Sequence, residues 1–272
     1  MKTLIYTEWL KMKKYNAFWW IMGITAFSYP GINYIFYFVY DSIVNNPTQA
    51  GQLAKMALGN PFSFPEAWHT VAYFSSWFVF IPAVVVIMFI TNEYSFKTHR
   101  QNIIDGWSRN QFITSKLIDV IIITLIITLL YAVISFVTGT LNEERLIKST
   151  WEQAYYIGLF ALQTFSQLSI AFLIGFLVKK AFIALGIFIF WFFPFEPIMV
   201  ALLKEYVNDW GRFMPLEISD RLIPRPAFLG KLDETGYKQA LNAIPQHVLY
   251  TLFLTSIIWL ICFGMNKRRD LK

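Results

Sequence analysis

Six stretches of the chain stay apolar for about the length a bilayer requires, and short polar or charged segments divide them. They fall at about 18–40, 70–91, 117–138, 155–178, 181–203 and 246–265. Backbone groups in hydrocarbon must satisfy one another, so a spanning segment is a helix of about 20 mostly apolar residues. Each stretch is predicted to be such a helix. Pro30, Gly31 and Asn33 lie mid-way along the first and predict a kink there. Only Lys179 and Lys180 separate the fourth and fifth, which predicts a tight hairpin. Ahead of the first span, over residues 1–17, Leu4, Ile5, Trp9 and Met12 recur at helical spacing, with Lys2, Glu8, Lys11 and Lys13 largely on the other side. That pattern predicts a helix lying in the membrane interface. The apolar run after it continues past Ala26 with no small-x-small cleavage pattern, so the first span is expected to be retained.

Composition agrees with this reading and charge orients it. The chain is 56% hydrophobic, 19% aromatic and only 15% charged over 272 residues, which places it in the polytopic membrane class. With the N-terminus inside, the inner segments hold 14 Lys and Arg against 9 in the outer loops, while acids number 5 inside and 12 outside. Both termini are therefore expected in the cytoplasm. The basic residues are shared among membrane-flanking loops and form no single stripe, so the net charge of +6 argues against a nucleic-acid partner. Cys262 is the single cysteine, which removes any disulfide framework. His69, His99 and His247 are far apart, and no zinc-protease, serine-hydrolase or phosphate-cradling GxxxxGK[ST] motif occurs. Catalytic, metal and cofactor-binding residues are thus assigned to none. The expected fold class is an all-α polytopic membrane protein, one transmembrane domain over residues 1–272.

The segment NEYSFKTHRQNIIDGWSRNQFITSK, residues 92–116, is longer than a simple reversal between spans requires. Phe96, Ile103 and Ile104 share a helical face, with His99 and Arg100 between them; Asp105-Gly106 is a stop signal. Ser108 followed by Gln111 forms a capping box for the third span. The pattern predicts a short amphipathic helix that either floats on headgroups or docks in a groove of a cytosolic partner.

Glu93, Thr98, Arg100, Ser108-Arg109 and Lys116, taken in order, resemble the signature of permease subunits of ABC transporters, of the ABC-2-type exporter family. The resemblance extends to the interfacial first helix, six spans, the short turn between spans four and five, and the long segment before the last span. Two positions depart from the family pattern. Lys97 stands where Gly is frequent before the Thr, and Gly106-Trp107 where Pro is frequent before the Ser-Arg pair. The resemblance implies a cytoplasmic coupling helix between spans two and three that sits in a groove of a separate ATPase subunit. The interface would comprise Glu93, Phe96, Lys97, Thr98, His99, Arg100, Ile103, Ile104, Asp105, Trp107 and Arg109, with apolar anchors and charges that fix register. ATP and Mg would belong to the ATPase and not to this chain. The other implied partners are a second permease copy or homologue and the lipid bilayer, in a bacterial plasma (inner) membrane.

Glu196, between Pro194 and Pro197, is a carboxylate within an apolar run and a candidate outer gate, though a span ending near Pro194 would place it at the outer interface. In that case residues 198–207 would form an amphipathic helix dipping back from the outer face. Gln163 and Gln167, with Thr164, Ser166 and Ser169, form a polar face that suits either helix–helix contact or cavity lining. The 41–69 and 204–245 segments, rich in proline and aromatics, are expected to be ordered outer caps, and Glu143-Glu144-Arg145 a solvated turn. Two rivals to the exporter remain open: an integral-membrane enzyme acting on lipid or peptide, and a non-transporting scaffold or immunity subunit.

Overall fold

The computed structural model describes residues 2–45, 58–143, 148–230 and 233–268; Glu144 and Arg145 of the expected solvated turn, and residues 46–57 of the expected outer cap, lie outside them. Among the described residues every regular element is helical. The chain begins with α1 (Lys2–Lys14) and α2 (Asn16–Val44), then α3 (Glu66–Ser76) and α4 (Phe80–Ser95). The short α5 (Thr98–Ile104) and the long α6 (Arg109–Leu141) follow. Next come α7 (Tyr156–Val178), α8 (Ala181–Phe190) and α9 (Glu196–Tyr206), the last two joined by a π-helical turn at Trp191–Phe195. The chain ends with α10 (Pro215–Asp220), α11 (Ala227–Gly230) and α12 (Glu234–Arg268). Four helices are long and apolar enough to cross a membrane, or five if the bent pair α3–α4 counts as one crossing.

Two prolines reshape spans that the apolar pattern presents as straight. The 70–91 stretch is two helices meeting at 51°. Pro82 has no N–H to give Phe78 O, and that carbonyl instead accepts from Ile81 N at 3.0 Å. Further three-residue bonds, Phe78 N to Ser75 O and Val79 N to Ser76 O, tighten the chain into the bend. At Pro194 the opposite happens. The ladder widens, Glu196 N bonds Trp191 O, and helicity continues from α8 into α9. The helix end expected near Pro194, with a separate helix dipping back, is therefore replaced by one continuous helix with a π-turn. Pro30 likewise sits inside a single 29-residue α2.

α7 is the centre of the bundle. It packs against α3, α4, α6, α8, α10 and α12, and its pairing with α4 is the most extensive in the molecule. The reason lies in its sequence. Gln163, Thr164, Ser166, Gln167 and Ser169 are all buried, and a helix with polar groups on so wide a face is poorly suited to lipid. α8, with few polar groups, instead exposes Phe182, Ile183, Ile187 and Phe190. Gly175 permits the close approach of α7 to α4, since a Cβ there would stand 2.6 Å from Ile90 Cγ2. Gly175→Leu is expected to destabilise the bundle by about 1–3 kcal/mol through overpacking. Gly23→Ala, where an added Cβ meets nothing within 4 Å, is expected to be neutral or to stabilise by about 0.5–1 kcal/mol. Chemical unfolding of both variants in detergent checks the contrast.

Candidate functional site

Lys116, on the first turns of α6, is 3% exposed and carries an ammonium that three carboxylates surround. Its Nζ lies 2.6 Å from Glu8 Oε2, 2.9 Å from Glu93 Oε1 and 3.1 Å from Asp119 Oδ2. Lys11 closes the cluster from α1, at 3.0 Å from both Glu8 Oε1 and Glu93 Oε1. A charge this deep persists only where partners replace its water. The cluster thus fastens α1, the end of α4 and the start of α6 to one another. Burial works to raise the Glu8 carboxyl, but Lys116 and Lys11 outweigh it and hold Glu8 below the usual carboxylate range. Beside the cluster Lys116, Asp119, Val86, Phe89, Val120 and Phe172 border a cavity of about 10 Å³, room for about one water.

The α5 helix is mounted on this cluster. Glu93 accepts from the Thr98 hydroxyl through Oε2, and its backbone carbonyl lies 2.9 Å from His99 Nδ1, which donates since a carbonyl only accepts. Lys97, just before the helix, is left-handed with φ 57°, the conformation that glycine adopts at least cost. Gly106 turns the chain at φ 100° after the helix. Ser108 and Gln111 form the expected capping box, with bonds of 3.2 and 2.7 Å. Arg109 Nη1 donates to Lys267 O at 2.6 Å, placing a cation on the C-terminal carbonyls of α12.

The predicted interface residues therefore divide into two groups. Glu93 is buried, Thr98, His99, Ile103 and Arg100 are half-buried, Trp107 lies under the Lys11 ammonium, and Arg109 staples two long helices. Phe96, Lys97, Ile104 and Asp105 face outward, with Phe96 74% and Ile104 84% exposed. Ile103 and Ile104, assigned to one face by spacing, are thus split between the bundle and the exterior. Glu8, Lys11 and Asp119 complete the cluster without any sequence motif marking them. The one available signal was Asp119, a carboxylate inside an apolar run and three residues from Lys116.

The other sequence candidates lie towards the opposite end. Glu196 Oε1 accepts from Leu216 N at 2.6 Å and Glu217 N at 2.8 Å, and Oε2 from the Trp191 indole. It therefore caps the first N–H groups of α10, which lack a partner within the helix, and so ties the π-turn to that helix. Gln163 and Gln167 both donate to Asp220 Oδ1, at 2.8 and 2.6 Å. Asp220, inside the expected outer cap, was not legible as a site residue. As a residue Asp220 is exposed. Its carboxyl is nonetheless desolvated by the protein around it, and this, with Glu217 adding like charge, raises its pKa to about 7.

Two measurements follow from these geometries. Lys116→Met leaves three buried carboxylates without their central cation, and is expected to cost about 3–5 kcal/mol in detergent unfolding. A protonated carboxyl gives its proton to a hydrophobic carbodiimide and adds through oxygen to its central carbon. Labelling of Asp220 in the full-length protein is expected to fall as pH rises through about 7, against about 4 for an ordinary aspartate. A midpoint near 4 in peptide mass spectra would contradict the crowding described above.

Among curated proteins none matches the chain. A family model described as protein of unknown function (DUF2705) matches residues 52–272, which takes in α3 to α12 and every cluster residue except those on α1. By that match over most of its length, the chain belongs to the DUF2705 family.

Proposed function

We propose that this protein is the membrane-spanning subunit of an ATP-driven ABC exporter of the ABC-2 type. The observation that carries the reading is α5, a short helix with Ile104 bare at its end and Phe96 bare just before its start, mounted through Thr98 and His99 on an ionic cluster. In this reading α2 supplies the first of six spans and the bent pair α3–α4 the second. α6, α7, α8–α9 and α12 are the remaining four, both termini are cytoplasmic, and the membrane is a bacterial plasma membrane. The left-handed Lys97 supports the resemblance, because a position that the family frequently fills with Gly has here the backbone conformation that suits Gly.

The mechanism is mechanical. A cytosolic ATPase subunit, which binds ATP and Mg itself, receives Phe96 and Ile104 in a groove while Lys97 and Asp105 set register. Closure of two such ATPases pushes α5. Thr98 and His99 pass that push to Glu93, and Lys116 and Lys11 pass it on to α6 and α1. A second permease copy, or an unlike permease, completes the pathway, and paired subunits alternate between inward- and outward-facing states. No bond chemistry is required of this chain.

Ile104→Asp and Phe96→Asp are expected to abolish co-purification of an ATPase subunit from the native membrane, while membrane insertion and thermal stability stay at wild-type level, since both side chains are exposed. Retained co-purification in both variants would remove α5 from the interface. Failure of any ATPase to accompany the wild-type protein, even after crosslinking, would remove the exporter reading itself.

A further inference from the structure

The region around Asp220 holds a polar site that helix movement alone does not require. Gln163 and Gln167 lie one turn apart on α7, seven and eleven residues from Tyr156, or roughly 10 and 16 Å along its axis. Each is 1% exposed. Both present their amide nitrogens to the same oxygen, Asp220 Oδ1, and the amide oxygens Gln163 Oε1 and Gln167 Oε1 remain buried without a hydrogen-bond partner. Nitrogen and oxygen share one carbon in each amide, so both unpartnered oxygens lie close to the Asp220 carboxyl.

The carboxylate is likewise uncompensated. Asp220 makes no ion pair among the described residues. Glu217 and Glu196 add negative charge near it. Arg221 is engaged by Asp209 and Glu217, while Arg225 reaches the Tyr73 hydroxyl. An excess of acceptors and negative charge calls for a ligand that only donates.

We propose that Asp220, Gln163 and Gln167 bind a primary ammonium group, which enters beside Asp220, an exposed residue. An –NH3+ group has three N–H donors and no acceptor. One donor goes to the carboxylate and one to each amide oxygen, so every unpaired group of the site is satisfied. A quaternary ammonium has the charge but no N–H, and would leave both amide oxygens unpaired. A hard metal ion prefers about six or more oxygens at short range, and the two amide nitrogens on Asp220 obstruct such a shell. Binding stands on this geometry alone. Its extension, that the proposed exporter carries a molecule with a primary amine, rests on the exporter reading.

The test uses the full-length protein in lipid nanodiscs at pH 7, with neither ATPase nor nucleotide, so its outcome is independent of any co-purification result. Dicyclohexylcarbodiimide labelling of Asp220 is read by peptide mass spectrometry in the presence of butylammonium, tetramethylammonium or sodium chloride at equal ionic strength. Butylammonium at ten times its dissociation constant is expected to lower Asp220 labelling about tenfold. The other two cations leave it unchanged, and Asp119 labelling responds to none of the three. The double variant Gln163→Met, Gln167→Met is expected to weaken that protection by at least about tenfold, the effect of losing 1.4 kcal/mol of binding. Equal protection by all three cations, no protection by butylammonium, or undiminished protection in a folded double variant would each overturn the assignment. If the double variant does not fold, the comparison of cations on the wild-type protein decides alone.

Discussion

A lysine ammonium enclosed by protein is stable only if carboxylates stand where water would have been, and Lys116 imposes that requirement on three separate helices. Glu8 must arrive from α1, Glu93 from the end of α4 and Asp119 from the next turn of α6 itself. None of these contacts is replaceable by a shift of register, because an ammonium offers three donors and the low-dielectric surroundings penalise any that is left unmet. α1 is thus locked to the bundle by charge where apolar packing alone would let it slide. Lys11, partly exposed, binds the same two glutamates from the rim and reduces the excess of acid.

That rigidity gives α5 its character. A seven-residue helix has too few internal hydrogen bonds to be stable alone. It holds its position because Thr98 and His99 both bond Glu93, and because the capping box and the Arg109 contact fix the chain after it. The apolar side chains Phe96 and Ile104 are bare while the mount beneath them is among the most constrained parts of the molecule. An exposed apolar pair on a rigid base suits force transfer, whereas the same pair on a flexible loop would dissipate it.

The helices and their ends were largely legible, because periodicity, the Ser108 and Gln111 pair and the Asp105-Gly106 stop are local signals. The partners of each charge were not. Glu8 and Lys116 are 108 residues apart, Glu93 and Lys11 82 apart, and no spacing rule links them. Glu196 was marked by its apolar surroundings, yet its role as a cap for α10 depended on a partner about twenty residues away. Asp220 had no mark at all. It sits in a segment expected to be an ordered outer cap, whose mixed charges name no ligand, and only the fold sets it against Gln163 and Gln167. The polar face of α7 was visible, and its assignment to helix contact or cavity lining was settled by neither pattern nor hydropathy.

The two proline-driven irregularities gain meaning from where they meet. Phe80, just past the 51° bend, packs its ring 5.6 Å from Phe192 and 4.9 Å from Phe193, both within the π-turn. The points at which two helices have lost regular ladder bonds therefore lie against each other, away from the ionic cluster. A rotation of α3 on α4 displaces Phe80, and the widened turn is the part of the α8–α9 helix with least resistance to following it. Glu196 leaves that turn bonded to α10, so any such movement also reaches the helix that carries Asp220. In the proposed transport cycle the end bearing α5 moves as a block, and the change of shape is concentrated where the backbone ladder is already broken.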